Sequence, residues 1–115
     1  MNNNCTVWIP QEPMRREGGA WISKGFNLAA TAEYGSMRIV WGPDTSILDR
    51  DALEDTARRA ASDYDPEADY VVALGSPTLI AMLSWAIGEA GKPIYMLEWD
   101  KPGRRYYPTL VTQKG

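Results

Sequence analysis

The chain reads as a single-domain α/β protein: a mixed sheet with a parallel centre (β-α-β-α-β) and a C-terminal antiparallel β-hairpin at its edge. Three observations predict it. Residues 69–78, DYVVALGSPT, set a continuous apolar run between charge and glycine, as in a strand buried on both faces that turns directly into a helix. Residues 37–74 and 69–99 each read strand–helix–strand, which implies right-handed crossovers and parallel neighbours. Pro102-Gly103 then separates strand-like residues 93–99 from 106–111, where Pro108 removes a ladder donor and so assigns that strand to the sheet's edge.

Taken in order, residues 6–9 (TVWI) form a short first strand, stopped by Pro10. The pattern over 11–27 is weak, with 14–16 and 20–22 flanking a plausible hairpin turn at Glu17-Gly18-Gly19. Residues 28–35 suit a turn or two of helix ending at Gly35. Residues 37–41 (MRIVW) form the second confident strand, and 44–49 a loop. Asp51 with Glu54 three residues later makes a capping box, and Leu53, Ala57, Ala60, Ala61 and Tyr64 follow helical spacing until Pro66. After the strand at 71–74, Ser76 caps and Pro77 opens a helix over 77–90, closed by Gly91. That helix is apolar almost all round, which places it deep in the domain.

The bulk properties narrow the function. A chain of 115 residues builds one core, and no apolar run approaches the ~20 residues that cross a bilayer. The start, Met-Asn-Asn-Asn-Cys, lacks the charged and apolar regions of a signal peptide, and Cys5 is the single cysteine. A reducing cytoplasm is the expected setting. There is no histidine, which removes the commonest general base, the Ser-His-Asp arrangement and most zinc chemistry. The chain is therefore read as non-catalytic, with no cofactor and no metal.

Charge is unevenly placed. Residues 44–69 hold nine carboxylates against three arginines, a local charge of −6, while the whole chain carries −3. Glu54 with Arg58 and Asp55 with Arg59 are helical ion pairs in the favourable order. Asp49 and Asp51 sit where the helix dipole welcomes anions. Asp63, Asp65, Glu67 and Asp69 follow at the helix's carboxyl end, where the dipole is negative and no cation lies nearby in sequence. They are not a calcium loop, because Ala68 stands where that loop needs glycine and Leu74 where it needs glutamate. A solvated turn accounts for them, and so does a surface that imitates a nucleic-acid backbone.

The expected partner-binding set is therefore Asp49, Asp51, Asp63, Asp65, Glu67 and Asp69, with Trp85 as an exposed aromatic beside them and Trp21 as a second one. An alternative set, Lys101, Arg104, Arg105 and Tyr106, puts cations beside aromatics at the hairpin tip, as in single-strand nucleic-acid binders. Direct nucleic-acid binding is disfavoured for an acidic chain, and a charged edge strand explains the tip equally. Asp100 facing Arg105 and Trp99 near Tyr106 are the expected cross-strand pairs. The helix start at Gly75-Ser76-Pro77-Thr78 admits a small-molecule or nucleotide reading, but it has no lysine and Pro77 deletes an amide.

Asp69-Tyr70, Leu74-Gly75-Ser76-Pro77, Trp99-Asp100, Arg105 and Pro108, with FNLAATAEYG at 26–35, resemble the layout of a family of small bacteriophage-encoded proteins. The likeness covers the last half of the chain and residues 26–41, and Ser76 stands where that layout often has aspartate. The resemblance implies an accessory protein acting in the host cytoplasm, including anti-CRISPR or other counter-defence types. Such inhibitors act on a host protein by occupying its basic nucleic-acid-binding surface.

Overall fold

A computed structural model describes residues 5–12, 14–18, 20–23 and 28–111. Trp21's side chain and Phe26 lie outside the described residues. The elements run β1 (Thr6–Gln11), β2 (Met14–Glu17), β3 (Ala20–Ser23), a 3-10 helix (Leu28–Glu33), β4 (Ser36–Trp41), α1 (Arg50–Asp63), β5 (Tyr70–Val72), α2 (Pro77–Glu89), β6 (Tyr95–Asp100) and β7 (Arg105–Leu110). The main sheet has the order β4-β1-β5-β6-β7. Its first four strands are parallel, and β7 returns antiparallel against β6. The mixed sheet with a parallel centre and a hairpin edge is thus what the chain forms.

Several details differ from the sequence reading. Pro10 does not stop β1: pairing with β5 covers only Val7 and Trp8, and the strand rejoins β4 at Gln11 beyond the proline. β4 and β5 are not neighbours, because β1 lies between them and α1 crosses over it. The expected hairpin does form, β2 pairing antiparallel with β3 and Glu17 opposite Ala20, but as a two-stranded sheet separate from the main one. Pro108 does lie on an edge strand, opposite Leu97.

The sheet separates two apolar layers. Trp8, Trp41 and Val71 meet α1 and α2 through Leu53, Ala57, Leu79, Leu83 and Ile87. On the other face Val7, Ile9, Val72, Leu97 and Tyr106 are covered in part by Ala30 and Tyr34, at and just after the 3-10 helix. Each fully buried leucine or isoleucine among them contributes about 1.5–3 kcal/mol. α2 is less deeply set than its composition suggests, since α1 flanks one side and Ala81, Trp85 and Gly88 face solvent.

The start of α1 also moves. Asp49, not Asp51, is the N-cap: its Oδ1 accepts Ala52 N–H at 3.2 Å and its carbonyl accepts Leu53 N–H at 3.1 Å. Glu54 therefore does not close a capping box. It lies between Arg50 and Arg58, at 2.6 and 2.8 Å. The expected Asp55–Arg59 pair is not among the ion pairs of the described residues.

Candidate functional site

The carboxylates after α1 meet different fates at the amino end of the sheet. Asp69 is only 4% exposed. Its Oδ1 accepts Thr6 N–H at 2.9 Å, and its Oδ2 accepts Trp8 Nε1–H at 3.0 Å and Asp65 N–H at 2.9 Å. It ties the α1–β5 turn to the first strand and is unavailable to a partner. Its place in the expected binding surface is corrected on that ground. Asp63 pairs with Arg38 at 3.0 Å, and the Arg38 guanidinium lies 4.6 Å over the Trp8 ring. Asp65 Oδ1 accepts Glu67 N–H at 3.0 Å, and the side chains of Asp65 and Glu67 stay exposed.

The negative end of α1 does have a cation, supplied from beyond α2. Lys92 Nζ donates to the carbonyls of Ala61, Ser62 and Tyr64 at 2.8, 3.2 and 2.8 Å. One ammonium thus satisfies three carbonyls and offsets the dipole. The clustering of acids that looked unfavourable in sequence is compensated by Lys92 and Arg38.

Asp49 and Asp51 lie at the opposite end of α1, on the carboxyl edge of the sheet, roughly 20 Å away at 1.5 Å per residue. There the loop from β4 is held firmly. Thr45 donates through both its N–H and its Oγ1 to Gly42 O, at 3.4 and 2.9 Å, and Leu48 N–H donates to Ser46 Oγ at 3.2 Å. These bonds turn two apolar side chains outward, Ile47 at 51% and Leu48 at 91% exposure. Asp44, Asp49 and Asp51, all exposed, flank them. The sequence reading missed Ile47 and Leu48; the available signal was an apolar pair inside the otherwise polar DTSILD.

Between β1 and β5 the strand order reverses, the place where open α/β sheets hold ligands. Here Gln11 occupies it. Its N–H donates to Leu74 O at 3.2 Å, its Oε1 accepts Ser76 N–H at 2.9 Å, and its Nε2 donates to Gly42 O at 3.1 Å. Thr78 N–H is taken by Ser76 Oγ at 3.2 Å. A Cβ on Gly75, whose φ is +108°, would lie 2.4 Å from Gln11 Cβ, so the close approach requires glycine. Two amides that a phosphate would use at Gly75–Thr78 are already engaged.

The hairpin tip lies farther along the same edge. Asp100 faces Arg105 and Trp99 faces Tyr106, whose rings meet edge-on at 4.9 Å. Lys101, Arg104 and Arg105 are exposed, but Tyr106 is buried and cannot stack on a base. Trp85 is 40% exposed with the Arg58 guanidinium 4.8 Å over its ring, a contact worth about 0.5–1 kcal/mol.

Shifted acidities belong to structural groups. Burial raises the phenols of Tyr64, Tyr106 and Tyr34, while hydrogen bonds from Arg58 and Arg50 lower the Glu54 carboxyl. Among the described residues no three acidic, cysteine or histidine side chains come together as a metal site. No helix among them is long and apolar enough to cross a membrane.

The fold is that of a small α/β protein with a mixed five-stranded sheet. The chain belongs to the Phage Pam3 gp32-like protein family, whose model matches residues 5–113. No curated protein and no solved structure matches it.

Proposed function

We propose that this accessory protein acts by binding rather than by catalysis, and that it inhibits a host defence or nucleic-acid machine. Its partner is a host protein whose basic surface otherwise holds DNA or RNA. The observation that carries the reading is the pinned β4–α1 loop, with Leu48 at 91% and Ile47 at 51% exposure beside Asp44, Asp49 and Asp51. Apolar anchors held in place by a loop's own hydrogen bonds lose little freedom on binding, and flanking carboxylates steer them to a cationic surface. Asp65 and Glu67, at the other end of α1, lie outside this contact.

Affinity capture from host lysate, using the full chain and two variants, tests the reading. Leu48→Ser, and Asp44→Lys combined with Asp51→Lys, should each fold normally and each reduce capture of a nucleic-acid-binding protein by about tenfold or more. Added DNA should compete for that protein. Undiminished capture by both variants, or a ternary complex with nucleic acid still bound, sinks the proposal.

A further inference from the structure

The sheet face turned away from the helices carries a second feature, at the end opposite the β4–α1 loop. An open groove of about 440 Å³ is lined by Pro66, Glu67, Ala68, Asp69, Tyr70, Tyr95 and Pro108. Tyr70 packs against the apolar layer of this face and meets the Tyr34 ring edge-on at 5.2 Å. Tyr95 lies opposite Leu110, which is 41% exposed, so apolar surface continues past the groove. The wall beneath Glu67 is stiff, because Asp65 O accepts the N–H groups of Ala68 and Asp69 at 3.1 and 2.8 Å.

We propose that this groove binds a proline-rich, positively charged peptide segment of a partner protein. Two tyrosine rings and two prolines offer flat apolar walls. Among the described residues, neither the Tyr70 nor the Tyr95 hydroxyl makes a hydrogen bond. A polyproline II segment has no internal hydrogen bonds and presents carbonyls that need donors, which phenols supply. A helical ligand has its carbonyls already satisfied. An added β-strand would meet β7 at Pro108, where the ladder donor is missing. Glu67 at the rim selects for a cation, and no arginine or lysine lines the groove to receive an anion. The inference does not depend on the β4–α1 loop having a partner.

The test is a titration of the isotopically labelled full chain with a synthetic peptide of core Arg-Pro-Leu-Pro-Pro-Leu-Pro, followed by amide chemical shifts. Saturable shifts confined to residues 67–70, 95 and 109–110 are expected. Glu67→Lys should weaken binding by about tenfold, and Tyr95→Phe, which removes a hydroxyl with no internal role, by about fivefold. The proposal is overturned if the groove shows no shifts at millimolar peptide. It is equally overturned if both variants bind as the parent does, or if peptides with alanine for each proline or glutamate for arginine bind as well. Shifts at the groove that follow protein concentration alone would assign it to a second copy of the chain and also end the proposal.

Discussion

Asp69 illustrates how one residue's environment decides its role. Three N–H groups, two from β1 and one from the α1–β5 turn, converge on a carboxylate that is almost wholly buried. Truncation to alanine leaves those donors without an acceptor, at about 1–3 kcal/mol for each one that water cannot reach. Asp69→Ala should therefore lower unfolding free energy by about 3 kcal/mol or more in denaturant titration. Asn at this position, which keeps one acceptor oxygen, should lose less. A change below about 1 kcal/mol for alanine would show that the turn re-forms its bonds elsewhere. Tyr64 makes the complementary case. Its hydroxyl donates to Pro93 O and accepts Tyr95 N–H, both at 3.1 Å, and burial raises its pKa above the ordinary 10.0. The folded state then keeps this proton at pH values where the unfolded chain releases it. Its contribution is complete below pH 10.0 and is lost as pH climbs through the raised value. Tyr64→Phe should make the alkaline fall in stability shallower, checked by thermal unfolding across that range; an unchanged slope would exclude this phenol as its source.

At the scale of elements, α1 depends on groups that its own sequence does not contain. Asp49 caps its start locally, whereas Lys92, 31 residues beyond Ala61, closes its end. Lys92→Met keeps the aliphatic stem and deletes the charge, and should cost about 1–2 kcal/mol in chemical unfolding. Faster amide exchange in the last turn of α1 should accompany that loss, and exchange left unaltered would mean that water replaces the ammonium without penalty. The same contrast governs what the sequence could reveal. Ser76-Pro77 opening α2 and Pro108 marking an edge are local chemistry, so both were legible. The cap at Asp49 was misplaced by two residues because two aspartates offered similar local chemistry. Gln11 filling the β1–β5 crevice, Arg38 reaching Asp63 and Lys92 reaching Ala61 act across 25 to 65 residues of chain. No local pattern encodes them. Those long-range contacts are also what dissolved the apparent excess of carboxylate after α1.

Over the whole molecule, the strongly acidic stretch 44–69 is divided by the length of α1 instead of forming one face. Asp44, Asp49 and Asp51 share the sheet's carboxyl edge with Ile47 and Leu48, while Asp65 and Glu67 lie at the amino end, where Glu67 lines the groove. The basic hairpin tip belongs to the same carboxyl edge but stands on its far side, past β1, β5 and β6. Lys101, Arg104 and Arg105 are three exposed cations on a chain of net charge −3, and the aromatic beside them, Tyr106, is buried. Three phosphate contacts give an affinity too low to persist in about 0.15 M salt against an overall negative potential. A gel shift with single- and double-stranded DNA should therefore show no retention at that ionic strength, and only weak retention at about 0.02 M that vanishes when the three cations become glutamine. Retention at about 0.15 M salt that survives this substitution would mean that DNA contacts another surface. Retention there that the substitution abolishes would make the hairpin a nucleic-acid site in its own right and displace the partner-binding reading.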